Sequence, residues 1–535
     1  MKSIKKFLAV ILSMTLMLTL GTATFGAQKT LPSGKDTGSI NVTNLKPGDT
    51  VTAYQFVKAN YNEYGFTGYS AINNYVKDPV APTAQEVIDM ASNAATMTVA
   101  AEKKVATGDT EVTLNGLPVG YYLVMVTSGS ETVYSPMIAG IYYSKSATDN
   151  TLTNGAISAD SDFEIKAQKC WAKSSTPKLE KTIVTPSSKN SKGDDIAIGD
   201  KTTFKLSATV PSYSKEYKKV TYKIYDIMSE GLDYVDGSMK CFIEKYENNR
   251  ENIKVTPKVN GGIIEITFDS KFILEHPGQK IQVEYQAKLN EKAGVNFDAN
   301  INKAYLEYSN NPASGSTAKT GEDKVYVYTF GIDSNLFGKS TEKWNEKTKE
   351  LIKVEEGEYQ WVETEKESGI FTTTTALEGA TFTLTNNKTK KSYTATSDKY
   401  GYLKFTGLDA GEYTLQETDA PDGFTLNDAK HTVVITTEYN QDGTLKSYTI
   451  KIDDKATSTY TATYDKGVIK TITSTKDSQG NISESAILKN SKMSFLPSTG
   501  GVGTTIFAIV GVVFVAAALG LHMILRGKSK LEQDR

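Results

Sequence analysis

Hydrophobic and polar residues alternate along most of the chain, which is the pattern of half-buried β-strands. Residues 220–226 and 433–437 show this alternation clearly. One stretch, from Thr83 to Ala95, has helical spacing instead, and Glu86 follows Thr83 at the distance of a capping box. The pattern therefore predicts an all-β protein with one short amphipathic helix.

Two small polar breaks interrupt the strand pattern, at residues 174–177 and 310–315. The chain has 535 residues, and at roughly 100–200 residues per domain this length predicts about three domains. The breaks place the three predicted domains at residues 28–175, 176–325 and 326–495.

An internal repeat links the first and third of these domains. Residues 116–124 match residues 407–415 in the pattern G-L-x-x-G-x-Y-x-(L/V), which predicts a glycine turn that leads into a strand. The same alignment places Val126 opposite Glu417. The two domains are therefore expected to share one strand but to differ at this position.

The N-terminus has the features of a secretory signal. Positive charges at Lys2, Lys5 and Lys6 precede an apolar stretch at residues 7–20, which is too short to span a bilayer comfortably. Small residues at 23–27 suit cleavage at more than one position. We expect a signal peptide at residues 1–27, with the exact cleavage site open.

The C-terminus combines a short motif, an apolar stretch and a basic tail. The stretch at 502–525 is long enough to cross a membrane, and the positive residues of 526–530 are expected to stay on the cytoplasmic side. The motif before it consists of Leu496, Pro497, Ser498, Thr499 and Gly500.

Residues 496–535 therefore resemble the LPXTG cell-wall sorting signal of Gram-positive surface proteins, with its transmembrane sorting helix. The resemblance implies that a sortase cleaves between Thr499 and Gly500 and that the protein is attached to peptidoglycan. The mature chain, about residues 28–499, is then a secreted, wall-anchored surface protein whose membrane helix is only temporary.

Composition and charge exclude several classes of function. The 60 Lys and Arg residues balance 62 Asp and Glu residues, so no basic excess favours nucleic acid. Two cysteines, Cys170 and Cys241, and three histidines provide neither a thiolate zinc site nor a disulfide framework, and no GxSxG motif is present. We expect no metal, no cofactor and no enzymatic activity, and the sequence leaves open whether the cysteines pair.

Three polar residues of the middle domain fall on apolar strand faces. Lys181 alternates with leucine and isoleucine, Asp226 with valine, tyrosine and isoleucine, and Asn302 with alanine, leucine and tyrosine. Burial of an isolated charge or amide is costly, so these side chains are expected to contact one another. Burial also favours a neutral lysine amine, which is a nucleophile.

In the third domain, Tyr413, Leu415 and Glu417 share one strand face. The two apolar members mark it as the core face. Glu417 is therefore expected to point inward.

Two families are recognisable in these domains. Residues 377–384, 397–408 and 415–424 resemble a collagen-adhesin B-type domain, while residues 178–183 and 302–312 begin and end a segment that resembles the fimbrial isopeptide-formation domain. The resemblance implies tandem immunoglobulin-like β-sandwich domains. The order of signal, three domains and sorting motif is that of a major, or backbone, pilin of Gram-positive bacteria.

In the middle domain, the resemblance implies an isopeptide bond between Lys181 and Asn302, with Asp226 as the catalytic acid. Asn300 matches the family spacing less well as an acceptor. The first domain has Val126 in place of an acid, so no such bond is expected there.

In the third domain, the resemblance implies a catalytic Glu417 and an acceptor Asn490. The position of the family's lysine on the first strand is not matched, and Lys339 and Lys353 both remain open as the donor.

The resemblance also implies polymerisation through a lysine in an aromatic-Pro-Lys motif near the end of the first domain. This chain has Ala172 in place of the proline, and Lys173 is the candidate, with Lys169 as the alternative. The implied function is a structural subunit of a sortase-assembled pilus with a role in adhesion. Implied partners are sortase, further copies of the chain, accessory pilins, peptidoglycan and host surface ligands. The alternative is a monomeric wall-anchored adhesin, and the sequence does not separate a backbone from an accessory pilin.

Overall fold

A computed structural model describes most of the chain between residues 31 and 492. The described residues are 31–128, 131–144, 156–157, 163–184, 190–245, 249–340, 349–355, 358–364, 371–399, 401–453, 456–474 and 487–492. The predicted signal peptide, the sorting motif at 496–500 and the apolar stretch at 502–525 lie outside them. No helix within the described ranges has the length and apolar character needed to cross a membrane.

Eleven strands form the N-terminal part of the structure. They are β1 (Thr37–Thr43), β2 (Thr50–Asn62), β3 (Gly65–Ala71), β4 (Val99–Lys104), β5 (Glu111–Pro118), β6 (Gly120–Thr127), β7 (Val133–Tyr134), β8 (Met137–Ser144), β9 (Glu164–Ala167), β10 (Lys169–Trp171) and β11 (Ser174–Ser175). A sheet in the order β3-β2-β6-β8-β9 packs with a sheet in the order β10-β1-β5.

The predicted helix is confirmed as α1 (Ala84–Ser92). The Thr83 hydroxyl accepts a hydrogen bond from the Glu86 amide, and the Glu86 carboxylate accepts one from the Thr83 amide, which completes the capping box. The apolar side of the helix packs on the β2–β6 sheet, against Phe56 and Leu123.

Thirteen strands form the middle part. They are β12 (Leu179–Ile183), β13 (Gly193–Asp195), β14 (Lys201–Thr209), β15 (Tyr222–Met228), β16 (Leu232–Tyr234), β17 (Lys240–Lys245), β18 (Asn249–Ile253), β19 (Lys258–Asn260), β20 (Ile263–Thr267), β21 (Lys280–Leu289), β22 (Asn300–Asn311), β23 (Ser316–Lys319) and β24 (Asp323–Tyr328). One sheet has the order β12-β14-β21-β17-β18 and the other the order β13-β24-β22-β15-β20-β19. Their apolar faces enclose one core, and a short helix, α2 (Ser270–Glu275), joins β20 to β21.

Fifteen strands form the C-terminal part. They are β25 (Phe330–Ser340), β26 (Lys349–Glu355), β27 (Glu358–Thr364), β28 (Phe371–Ala376), β29 (Thr381–Asn386), β30 (Ser392–Thr396), β31 (Tyr402–Leu408), β32 (Gly411–Asp419), β33 (Phe424–Thr425), β34 (Lys430–Tyr439), β35 (Leu445–Ile452), β36 (Ala456–Asp465), β37 (Val468–Ser474), β38 (Ile487–Lys489) and β39 (Ser491–Lys492). A sheet in the order β26-β27-β28-β25-β31, with β38 beside β25, faces a sheet in the order β30-β29-β32-β34-β35-β36-β37.

The all-β architecture of successive sandwiches confirms the predicted fold class. The middle and C-terminal sandwiches meet at Thr329, the single residue between β24 and β25. The predicted boundary at 325/326 falls inside β24, because the chain continues in strand conformation through the junction.

The internal repeat has the same backbone geometry in both copies. Gly116 has a φ of +70° and Gly407 a φ of +76°, values that side-chain-bearing residues resist. The hydroxyl of Tyr122 donates to the Pro118 carbonyl at 2.5 Å, and that of Tyr413 donates to the Asp409 carbonyl at 2.9 Å. The repeated glycines and tyrosines therefore build the same corner twice.

Candidate functional site

The three polar residues singled out in the middle part lie together at the centre of its core. Lys181, Asp226 and Asn302 are each fully buried, with no exposed surface. Strand alternation accounts for this burial: each residue is flanked at i−2 or i+2 by buried apolar residues on β12, β15 or β22. The two facing sheets bring the three strands to one point.

The lysine amine contacts the aspartate and a tyrosine. Lys181 Nζ donates to Asp226 Oδ2 and, at 3.2 Å, to the hydroxyl oxygen of Tyr285. The rings of Phe204 and Tyr285 lie 5.1 and 5.4 Å from the amine, measured to the ring centroids. Burial among these groups lowers the pKa of Lys181, although the nearby Asp226 acts in the opposite direction.

The asparagine amide faces the same hydroxyl. Asn302 Nδ2 donates to the Tyr285 hydroxyl oxygen at 2.7 Å. Among the described residues, neither Asn302 Oδ1 nor Asp226 Oδ1 has a hydrogen-bond partner. Orphaned oxygens in a closed core are costly, so this cluster is not a fully satisfied polar network.

Tyr285 is the member of this site that the sequence analysis missed. It lies on β21, where Ile281, Val283, Ala287 and Leu289 complete a buried apolar face. A buried tyrosine hydroxyl normally has a polar partner. A tyrosine on an apolar strand face was therefore the one sequence signal that could have predicted a contact with the polar cluster. Burial, followed by the charge of Asp226, raises the pKa of Tyr285, so the phenol keeps its proton.

Asn300 is buried but already satisfied. Its amide donates to the carbonyls of Gly294 and Val327, and its side-chain oxygen accepts from the Gly294 amide. These bonds close the loop before β22. Asn300 is thus the first residue of β22, and its side-chain partners belong to the preceding loop and to β24, not to the Lys181 cluster.

A second pair of polar side chains meets in the C-terminal part. Glu417, on β32, and Asn490, which follows β38, are 1% and 2% exposed. Asn490 Nδ2 donates to Glu417 Oε1 at 2.6 Å, and the Asn427 amide donates to Glu417 Oε2 at 2.6 Å. Burial raises the pKa of Glu417 despite these two donors. Within the described residues, Asn490 Oδ1 has no partner.

The backbone alone locates the two lysine candidates for this pair. β25 and β38 pair in parallel, and the last pair in their register is Phe337 opposite Lys489. Asn490 follows this pair directly, and Lys339 lies two residues beyond it on β25, so the two backbones are close together. A β-bulge interrupts the β25–β28 pairing between Phe337 and Ser340. Lys353 lies on β26, which β27 and β28 separate from β25, a distance of about 14 Å at the usual strand spacing.

The candidate polymerisation lysines lie on the surface of the N-terminal part. Lys169 and Lys173 are both exposed, and Trp171 between them is 69% exposed. Ala172 is fully buried, and its amide donates to the Thr43 carbonyl at 3.0 Å. A proline has no amide hydrogen and could not make this bond. The alanine that replaces the motif's proline therefore adds a hydrogen bond to β1.

The two cysteines are both buried and unpaired. Burial raises the pKa of each thiol to about 12, which makes them poor nucleophiles at neutral pH. In the described ranges, no group of histidine, cysteine and acidic residues is arranged to hold a metal ion.

Three family models match parts of the chain. Residues 35–174 match the T6 antigen Ig-like domain, residues 360–449 match the SpaA prealbumin-like fold domain, and residues 489–530 match the LPXTG cell wall anchor motif. The last match includes the predicted motif at 496–500 and the apolar stretch at 502–525.

A curated relative and a solved structure each resemble most of the chain. The trypsin-resistant surface T6 protein of Streptococcus pyogenes serotype M6 is 26% identical over 93% of this chain and 96% of its own length. The structure of the T6 backbone pilin of serotype M6 Streptococcus pyogenes, described as a modular three-domain structure decorated with variable loops and extensions, has 20% identity and a TM-score of 0.57. The match covers 86% of this chain and 100% of that one. This likeness shows a shared fold.

Proposed function

Because this chain is an LPXTG-anchored surface protein of the major-pilin type, we propose that it forms the covalent shaft of a pilus and is stabilised by internal Lys–Asn isopeptide bonds. Sortase processing, polymerisation and cell-wall attachment follow from the pilin type and the anchor motif. The proposed domains are residues 28–175, 176–325 and 326–495, with the second boundary moved to Thr329, the residue between β24 and β25. Accessory pilins and host surface ligands complete the proposed set of partners.

The observation that carries the proposal is the buried Lys181–Asp226–Asn302 cluster. With a proton on Asp226, the amine of Lys181 keeps its lone pair and attacks the side-chain carbonyl carbon of Asn302. A carbon–nitrogen bond forms to Nζ and the bond to Nδ2 breaks. Asp226 transfers a proton to the departing nitrogen, which leaves as ammonia, and takes up the proton that Nζ releases, so the acid ends as it began. The core holds the reactants together, so proximity supplies much of the acceleration.

Replacement of the acid tests this reaction. In Asp226→Ala we expect no bond, because no group remains to polarise the amide and transfer the proton. The mature chain should then lack the linkage between Lys181 and Asn302, whose formation removes about 17 Da, the mass of ammonia, from the wild type. Peptide mass mapping after unfolding locates the link.

Two further variants control this experiment. Asp226→Asn preserves the size of the side chain but cannot transfer a proton, so it should also remain unlinked. Asp233→Ala removes an exposed aspartate of the same sandwich and should link normally. A full unmodified mass for the wild-type peptides would contradict the proposal.

For the third domain, we propose that Glu417 and Asn490 form the corresponding site with Lys339 as the donor. The parallel pairing of β25 with β38 brings the backbone of Lys339 near Asn490, whereas Lys353 lies three strand positions away. Lys353 is therefore the weaker candidate.

We propose Lys173 as the lysine that joins one subunit to the next. Lys173→Arg should abolish polymers while export and wall attachment persist, because arginine retains the charge but does not supply a free amine. Cell-wall extracts heated in detergent should lose the ladder of high-mass species. Lys169→Arg, the matched control, should retain it.

The same extracts separate the pilin from the alternative function. A monomeric adhesin would give a single band from the unaltered protein, with either lysine present. A ladder that persists in Lys173→Arg and disappears in Lys169→Arg would move the acceptor to Lys169.

A further inference from the structure

The lysine of the middle site lies on a strand with one free edge. β12 is the last strand of its sheet and pairs only with β14, where Lys181 lies opposite Leu206. An edge strand leaves every second amide and carbonyl without a strand partner. At Lys181, two side chains from elsewhere in the sandwich satisfy both groups.

These side chains are Asp323 and Lys192. Asp323 Oδ2 accepts a hydrogen bond from the Lys181 amide at 2.7 Å, and Lys192 Nζ donates to the Lys181 carbonyl at 2.6 Å. The same Asp323 oxygen lies 2.6 Å from Lys192 Nζ. We call this ring of contacts the Lys192–Asp323 clamp.

The clamp is partly shielded from water, which favours its interactions. The side chains of Lys192 and Asp323 are 22% and 28% exposed. Charged groups make stronger hydrogen bonds than neutral ones, and each of these two holds a backbone atom of Lys181 as well as its partner.

The clamp also joins the donor strand to the acceptor side of the sandwich. Asp323 begins β24, which belongs to the opposite sheet and pairs with β22 so that Asp323 lies opposite Ala304 and Val325 opposite Asn302. Lys192 directly precedes β13, which pairs with β24. Asp323 and Lys192 thus tie the backbone of Lys181 to the strands around Asn302.

On the basis of the proposed function, we propose that the Lys192–Asp323 clamp positions Lys181 for isopeptide formation. It holds the backbone of the lysine in the alignment that directs Nζ to Asn302 before any covalent bond exists. Neither residue touches the reacting atoms, so both are positioning residues. Once the bond has formed, it fixes the same alignment, so the clamp acts on the rate of linkage.

The rate of linkage can be followed from a single pair of peptides. The mature chain, residues 28–499, is made by cell-free translation, quenched with acid at intervals, unfolded and digested with trypsin. An uncut Lys181 leaves the peptide 179–189, which the bond joins to the peptide 293–303. Fragmentation separates Asn300 from Asn302 as the acceptor, and neither peptide contains Lys192 or Asp323.

Asp323→Ala and Lys192→Met should lengthen the half-time of linkage about tenfold or more, since small misplacements of reactants cost up to 100-fold. Lys192→Arg keeps a cation that can hold both acceptors and should restore most of the rate. The matched control is Lys223→Met, which breaks the Lys223–Glu265 ion pair of comparable exposure on the same sandwich. It should link like the wild type.

The outcomes separate this inference from the proposed function. A wild-type chain that never yields the linked peptides overturns the proposed function. Wild-type linkage together with unchanged half-times in Asp323→Ala and Lys192→Met overturns the clamp alone. A clamp that served only general stability would leave the half-time of linkage normal. The linked variants would then lose only protease resistance, and this result would contradict a positioning role.

Circular dichroism identifies a variant that fails to fold. In that case the half-time of linkage is measured in Asp323→Asn instead. It retains an oxygen for the Lys181 amide but loses the charge that holds Lys192. A slowed linkage in a folded chain supports the clamp, and a normal half-time refutes it.

Discussion

The hydroxyl of Tyr285 contacts both the lysine amine and the asparagine amide of the middle site. It is therefore the group that fixes their relative position from the side of β21. Sequence alternation identified Lys181, Asp226 and Asn302 because a charge or an amide is conspicuous on an apolar face. Tyr285 gave no such signal, since tyrosine is a common core residue.

We predict that Tyr285→Phe slows linkage but leaves the finished sandwich stable. The ring still fills the core, while the amine and the amide lose a shared acceptor, a change worth about 1–3 kcal/mol for buried groups. This corresponds to a half-time that is about fivefold to 150-fold longer in the linked-peptide assay.

Tyr222→Phe is the control for this variant. The Tyr222 hydroxyl is buried in the same core and has no partner within the described part of the chain, so its removal should not slow linkage. Equal half-times for both tyrosine variants would show that the Tyr285 hydroxyl has no role in positioning.

Lys192 and Asp323 could not be identified from the sequence for a different reason. Both lie at strand ends, where a charged residue usually faces solvent. The contacts of Asp323 with Lys181 and with Lys192 join atoms that are 142 and 131 residues apart in the chain, and no periodic pattern indicates such pairs.

At the scale of elements, the strand of the internal repeat was the feature that sequence predicted best. β6 and β32 share their glycine turns, their tyrosine corners and their inward faces, because each feature depends on residues within one short segment. The charged stretch between Lys339 and Glu367 was less predictable. It contributes the paired strands β26 and β27, although a high density of charge is typical of a solvated surface segment.

The repeat supports a negative prediction for the first domain. Val126 on β6 is buried at the position that Glu417 occupies on β32, so no acid is available there to transfer a proton. We predict that peptides from residues 31–172 retain their full sequence masses. The linked peptides of the middle domain serve as the positive control in the same digest.

Without an internal bond, the first domain should also be the least resistant to unfolding, since a crosslink restricts the unfolded chain. Protease should digest it before the middle domain when the chain is warmed. A Lys–Asn peptide from residues 31–172 with an ammonia-sized mass loss would contradict this expectation.

At the scale of the whole molecule, the middle and C-terminal sandwiches are joined by more than the chain at Thr329. Asp195 accepts hydrogen bonds from the Ala410 amide at 2.6 Å, from the Tyr439 hydroxyl at 2.5 Å and from the Thr437 hydroxyl at 3.3 Å. One carboxylate of the middle sandwich therefore holds β34 and the turn before β32 of the next one.

We predict that Asp195→Ala loosens this junction without unfolding either sandwich. The Ala410 amide loses its acceptor, so its hydrogen exchange should accelerate, by about tenfold for a lost bond of roughly 1.4 kcal/mol. Asp200→Ala, which removes an ion pair with Lys391 at the same junction, should change the Ala410 exchange far less. If the Ala410 amide exchanged equally fast in both variants, contacts other than those of Asp195 would be responsible for the rigidity of the junction.

The proposed middle crosslink has a consequence for how a pilus would carry mechanical force. In the proposed shaft, tension would enter each subunit at Lys173 and leave at Thr499. Only seven residues separate Lys173 from Lys181, so the proposed bond to Asn302 would carry the tension directly to β22. Residues 182–301, which would extend to roughly 400 Å if stretched, would then bear none of it. The first domain precedes Lys173 in the chain and would lie outside this path of force, so it would need no crosslink of its own.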